Sequence, residues 1–171
     1  MKQIVKNLII FDHDGTLAFY GQDSQRFDLF PGIKELIWDL KKQNFALAVW
    51  TARSKPSLQK SLNDNNLAHC FDALATTTDF PSKPRIDGLQ FIKEEIELTC
   101  GTTLLKTNIL HIGDSLADIE GAQHFGIDVL FVDWEDRDAS DDSMFKLTNL
   151  KTVRKVEELR REIGRKFQIK I

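Results

Sequence analysis

The chain has 171 residues, 42% hydrophobic and 29% charged, which suits one domain with a complete core and a modest terminal extension and excludes wholesale disorder. Its net charge of −3 divides unevenly: residues 151–171 hold eight Lys/Arg and three Glu, a charge of +5, and residues 1–150 hold −8. That acidic body excludes broad wrapping of nucleic acid but admits a small site for a phosphate end.

The opening residues carry no long apolar stretch after their charges, and no run elsewhere approaches the length that crosses a bilayer. No signal peptide, no membrane span and a cytoplasmic location are therefore expected. Cys70 and Cys100 have no neighbours at metal-ligand spacing, which leaves a disulfide framework or a structural zinc site without support.

In chain order, Ile4-Val5 and Leu8-Ile9-Ile10-Phe11 form an apolar, β-branched segment with Asp12 immediately beyond it. This is the pattern of a buried parallel strand ending in a polar loop, and Asp14-Gly15-Thr16 marks the turn. After Pro31-Gly32, the spacing of Ile33, Leu36, Ile37 and Leu40 predicts a helix with one apolar face. Phe45 to Trp50 reads as a second buried strand with Thr51 just past its end.

A helix over 55–66 follows, with Leu58 and Leu62 inward and Asn65-Asn66 at its end. Phe71 to Ala75 predicts a short third strand, and Pro81 and Pro84 bracket a loop carrying Lys83. Leu89, Ile92 and Ile96 then predict a helix. Asn108 to Ile112 reads as the fourth strand, followed by Gly113-Asp114-Ser115. Leu116, Ile119, Ala122 and Phe125 supply the next helical face, with Gly126 placed to stop it. Ile127 to Val132 predicts a fifth strand, and Val153, Val156, Leu159 and Ile163 a final amphipathic helix.

This alternation predicts an α/β protein, a three-layer α/β/α Rossmann-like fold with a mainly parallel five-stranded sheet and helices on both faces. Right-handed crossovers bring the loops after the strands to one sheet edge, where open α/β folds bind ligands. Asp12, Thr51 and Asp114 each stand directly after a predicted strand, so three distant positions converge there. The intervals from Asp14 to Thr51 and from Thr51 to Lys83 are too short for a large inserted cap domain, and an open site is expected. One domain is expected over 1–171, with 151–171 as a C-terminal amphipathic helix and short tail.

Phe11-Asp12-His13-Asp14-Gly15-Thr16-Leu17 resembles the first motif of the haloacid-dehalogenase-like hydrolase superfamily. Val49-Trp50-Thr51-Ala52-Arg53 resembles its second motif, Ser82-Lys83-Pro84 its Lys-bearing third, and Gly113-Asp114-Ser115-Leu116-Ala117-Asp118 its acidic fourth, all in the family's order. The resemblance implies a small capless phosphatase that uses Mg2+. Asp12 is then the nucleophile that forms an aspartyl-phosphate, Asp14 the general acid and base, and Thr51 and Lys83 the groups that receive phosphoryl oxygens and charge. Asp114 holds the metal with the Asp12 carboxylate and the Asp14 backbone carbonyl, an oxygen set suited to a hard cation.

Supporting roles are expected for Asp118, which orients Lys83 or the metal shell, and for Ser115, which caps the following helix or donates to the site. Arg53 follows Thr51 closely enough to bind substrate, and a surface ion pair is its alternative. His13 and His111 read as packed structural residues. The 18–30 loop, with Phe19, Tyr20, Arg26 and Phe27, and the 133–142 segment, with Trp134 among many acids, are the candidate rims of the site.

The expected partner is a phosphorylated small molecule, or a phosphate group on a larger substrate that reaches an open site. A nucleic acid end is admitted without a broad basic surface to support it; a protein partner is left open, with the basic C-terminal segment able to meet an acidic one. Phosphoryl transfer to an acceptor other than water, and a noncatalytic phosphate-binding or protein-interaction module, stand as alternatives to hydrolysis.

Overall fold

The structure, a computed structural model, describes residues 7–20, 26–134 and 150–171. Ile4 and Val5 of the expected first strand, residues 21–25 of the first rim and residues 135–142 of the acidic segment lie outside the described residues.

Strands β1 (Leu8–Phe11), β4 (Ala46–Trp50), β5 (Ala73–Ala75), β6 (Ile109–Gly113), β7 (Asp128–Val132) and β8 (Thr152–Val153) form one parallel sheet in the order β5-β4-β1-β6-β7-β8. A separate antiparallel hairpin, β2 (Ala18–Tyr20) and β3 (Phe27–Leu29), follows β1. The helices are α1 (Ile33–Lys42), α2 (Lys55–Asp64), α3 (Asp87–Cys100), α4 (Leu116–Phe125) and α5 (Val156–Phe167). Among the described residues no cap domain interrupts this alternation.

Alternate side chains of each central strand feed two cores, as the two-residue period of a strand requires. Ile9, Phe11, Leu47, Val49, Leu110 and Ile112 pack with residues of α1, α2 and α5. Leu8, Ile10, Ala46, Ala48, Trp50 and Ile109 pack with those of α3 and α4. Burial on both sides is why these strands are continuously apolar rather than alternating. On α1, Ile33, Leu36, Ile37 and Leu40 are fully buried, each contributing about 1.5–3 kcal/mol of transfer free energy. Asn44 then leaves the helix with a positive φ of 62°.

The sheet has six strands, not the five expected. Val153, expected on the last helix, instead pairs with Val132 in β8, and the Asp133 N–H donates to its carbonyl at 2.9 Å. The helix begins only at Val156. A two-residue strand has too few positions to show a period, so its one buried valine merged with the helical pattern that follows.

Because β1 is flanked by β4 on one side and β6 on the other, the chain reverses its direction of travel across the sheet beside β1. The crevice at such a switch point lies beyond the strand ends. Asp12, Thr51, Asp114 and Trp134 all stand at that edge, after or near the ends of β1, β4, β6 and β7.

Candidate active site

Asp12 remains tied to the sheet: its N–H donates to the Ile112 carbonyl at 2.8 Å, one step past the last β1–β6 pair. The chain then turns tightly, with Leu17 N–H bonding the His13 carbonyl at 2.9 Å and Gly15 at a φ of +75°. A Cβ at position 15 would lie 2.1 Å from Asp114 Oδ2. Glycine is thus required both for the backbone conformation and for the close approach of the loops after β1 and β6.

The loop after β6 is held by the start of α4. Ser115 and Asp118 form a reciprocal cap: the Asp118 N–H donates to Ser115 Oγ at 3.3 Å and the Ser115 N–H to Asp118 Oδ2 at 3.1 Å. A Cβ at position 113 would fall 2.3 Å from Asp118 Cγ, so Gly113 lets that carboxylate lie against the strand end.

Lys83 enters this cluster from the loop before α3. Its Nζ donates to Asp12 Oδ1 at 2.6 Å and to Asp118 Oδ1 at 2.5 Å, and it stands 4.9 Å from the centre of the Trp50 ring. The three side chains are only 6%, 9% and 1% exposed for Lys83, Asp12 and Asp118. Burial, with repulsion from Asp118 and Asp114, pushes the Asp12 carboxyl up to about 6 even though Lys83 opposes the shift. Burial also works against ionisation of Asp118, but His111 and Lys83 hold it well below the usual carboxylate range. For Lys83, desolvation is outweighed by its two carboxylates, which raise it above an ordinary lysine.

Asp14 points elsewhere. Its carboxylate receives Arg53 Nε at 2.8 Å and Nη2 at 2.6 Å in a two-pronged pair, and Arg53 also donates to Ser57 Oγ at 2.6 Å. The guanidinium carbon lies 3.8 Å from the Phe27 ring centre. Burial disfavours ionised Asp14, but the His13 ring and the Arg53 fork outweigh it and leave the carboxyl well below the usual range. Thr51 is buried at the end of β4, where its Oγ1 accepts the Arg53 N–H at 3.2 Å and its hydroxyl proton is left to donate.

A family model for haloacid dehalogenase-like hydrolases matches residues 18–132, more than half of the chain. The chain belongs to the haloacid dehalogenase-like hydrolases. Tyrosine-protein kinase PtkA of Mycobacterium tuberculosis is 26% identical over 137 residues, covering 80% of this chain and 45% of PtkA, so the chain spans less than half of that relative. A HAD-superfamily hydrolase from Ehrlichia chaffeensis shares the fold with a TM-score of 0.75 at 17% identity, covering 98% of this chain and 99% of that one. The magnesium-bound HAD-hydrolase YfnB of Bacillus subtilis is 27% identical with a TM-score of 0.64, covering 80% of this chain and 56% of YfnB.

This haloacid dehalogenase-like chain carries the carboxylate cluster expected of a metal site. Oxygens of Asp12, Asp114 and Asp118 lie within 4.8 Å of one another. An all-oxygen donor set of net negative charge fits a hard divalent cation. Asp118 already accepts from Lys83, His111 and Ser115.

His111 is packed, as the sequence suggests, and Arg53 does form an ion pair, but the sequence did not give their partners, Asp118 and Asp14. His111 is fully buried, with Nε2 2.8 Å from Asp118 Oδ1 and Nδ1 3.0 Å from the Ile10 carbonyl oxygen. The available signal was a polar residue inside an apolar strand that ends in the acidic motif. His13, also buried, places Nε2 2.8 Å from Ser61 Oγ. No helix among the described residues is long and apolar enough to cross a membrane.

Proposed function

We propose that this hydrolase acts on phosphate monoesters through covalent phosphorylation of Asp12. The observation that carries the reading is the Lys83 ammonium bridging Asp12 and Asp118 beside Asp114 in a nearly dry strand-end pocket. Such an arrangement holds a carboxylate oriented while supplying positive charge where a phosphoryl group would arrive.

An Asp12 oxygen attacks phosphorus, forming an acyl-phosphate bond as the ester P–O bond breaks. Asp14, freed of Arg53 and carrying a proton, delivers it to the departing alkoxide oxygen. Asp14 then takes a proton from a water molecule that attacks the same phosphorus, and cleavage of the acyl-phosphate releases inorganic phosphate and restores Asp12. Thr51 donates its hydroxyl to a nonbridging oxygen, and Lys83 balances the charge. Ser115 acts through Asp118, which it caps and which positions Lys83; Arg53 governs Asp14. When bound by the Asp12 and Asp114 carboxylates and the Asp14 carbonyl, Mg2+ supplies charge neutralisation between nucleophile and phosphate.

Residues 1–171 constitute one hydrolase domain in this reading, supported by the burial of Val153, Val156, Leu159 and Ile163 in the same core as the central strands. The likeness to a protein named as a tyrosine kinase favours, as a second reading, transfer from Asp12 to a hydroxyl other than water.

The test is intact-protein mass spectrometry and phosphate release in Mg2+ with small aryl and alkyl phosphates. Asp12→Asn is expected to abolish the phosphorylated enzyme and to lower turnover by at least about 10⁴-fold. Retained turnover in Asp12→Asn rejects the nucleophile assignment, whereas loss of phosphate release with a persistent phosphorylated enzyme favours the transferase.

A further inference from the structure

Beside the carboxylate cluster lies a recess of about 260 Å³. Phe19, Tyr20, Phe30 and Trp134 wall it, and Asp14 and Asp114 stand at its inner end. Arg53 stands behind it, bonding both Asp14 and the Tyr20 hydroxyl. We infer that the alcohol portion of the substrate carries an aromatic ring, received between these four side chains; this rests on the hydrolase reading of the same site.

Three observations support a ring. The walls are themselves aromatic and mutually braced, with Phe19 and Phe30 centred 5.0 Å apart and Phe30 and Trp134 5.9 Å apart. Trp134 spends its indole N–H on the Thr16 carbonyl at 2.9 Å, so it offers the recess an apolar face rather than a donor. Phe19 and Tyr20 remain 38% and 59% exposed beside a polar site, so both keep ring surface that a ligand can cover.

The backbone behind them is fixed: β2 pairs with β3, and the Phe30 N–H bonds the Leu17 carbonyl at 3.1 Å. The recess is smaller than the ~300–1,000 Å³ of sites that enclose drug-sized ligands, which suits one ring and a short linker.

Matched compounds test this without the confounding effect of leaving-group acidity. Binding of 4-phenylbutylphosphonate and butylphosphonate, which cannot be hydrolysed, is measured by titration calorimetry on the full chain in Mg2+. Turnover of 3-phenylpropyl and propyl phosphate is measured in parallel. The ring is expected to tighten binding about tenfold through aromatic packing and apolar burial, and Phe19→Ala to cut that preference to about threefold or less.

Equal affinity for the two phosphonates, or binding of neither, overturns the inference whatever happens to the esters. A ring preference in binding with no ester turnover and no phosphorylation of Asp12 upholds the recess and overturns the hydrolase reading. Turnover of both esters without a ring preference in affinity or kcat/KM does the reverse. A preference that survives both Phe19→Ala and Phe30→Leu assigns the ring to another surface and also overturns the proposal.

Discussion

Two ionic assemblies face one another across the strand ends, built from similar groups and set in different solvents. In the first, Lys83 joins Asp12 and Asp118 with side chains that are almost wholly buried. In the second, Arg53 grips Asp14 with a better fork, but Asp14 is 46% exposed. Bond lengths in the two sets are alike; their energetics are not. A buried charge that loses its partner has no water to replace it, while a half-exposed one does. The first assembly therefore fixes where the Asp12 carboxylate stands. The second leaves its carboxylate in reach of water, so that in the proposed mechanism Asp14 could part from Arg53.

The sharpest way to break this contrast is Lys83→Met, which keeps length and removes charge. Two carboxylates are then left without their cation, and the expected loss is about 3–5 kcal/mol of folding stability, read by urea denaturation in the absence of metal. Adding Asp12→Asn to that variant relieves part of the deficit, because one of the stranded charges disappears. A loss below about 1 kcal/mol would mean that the buried bridge behaves like a surface pair.

Magnesium probes the same side from outside. At a hundred times its dissociation constant the ion is expected to stabilise the folded chain by about 2.7 kcal/mol. Asp114→Asn should remove most of that increment, and Arg53→Lys should leave it. An equal response in both variants would place the ion away from the Asp12 and Asp114 pair. A smaller effect is expected for His111→Phe: it removes one buried hydrogen bond from Asp118 while Lys83 and Ser115 keep theirs, costing about 1–3 kcal/mol. Its kcat should fall with Lys83 misplaced, whereas a purely packing role would leave kcat unchanged in the folded variant.

The contrast also explains which parts were legible in the sequence. Strands buried on both faces are continuous apolar runs, and a residue just past such a run must lie at the ligand-binding edge of a parallel sheet. Asp12, Thr51 and Asp114 could be found that way, and Lys83 and Asp118 through the order of the family motifs. Pairings that cross element boundaries left no such trace. Arg53 meets Asp14 over 39 positions, and His111 meets Asp118 across a strand, a turn and a helix start; neither contact follows a strand or helix period. In the fold, the two-residue β8 and the three-residue β2 and β3 were too short to show alternation, so one was absorbed into a helix and the others into a loop.

The exposed side yields the smallest change in stability and the more selective change in chemistry. Arg53→Lys exchanges a planar fork for a point charge, and with Asp14 in reach of water the expected cost is under about 1 kcal/mol. Asp14 would then be held less firmly in its outward position. Esters of poorly acidic alcohols need a proton at the departing oxygen and should respond to that change, while aryl esters, whose phenolate leaves readily, should respond little. The measurement is kcat/KM for a phenyl and a propyl phosphate in both proteins. Parallel shifts of the two rates would identify Arg53 as a binder of the phosphoryl group itself, because an interaction with phosphate is common to both esters and a grip on Asp14 matters only where the proton does.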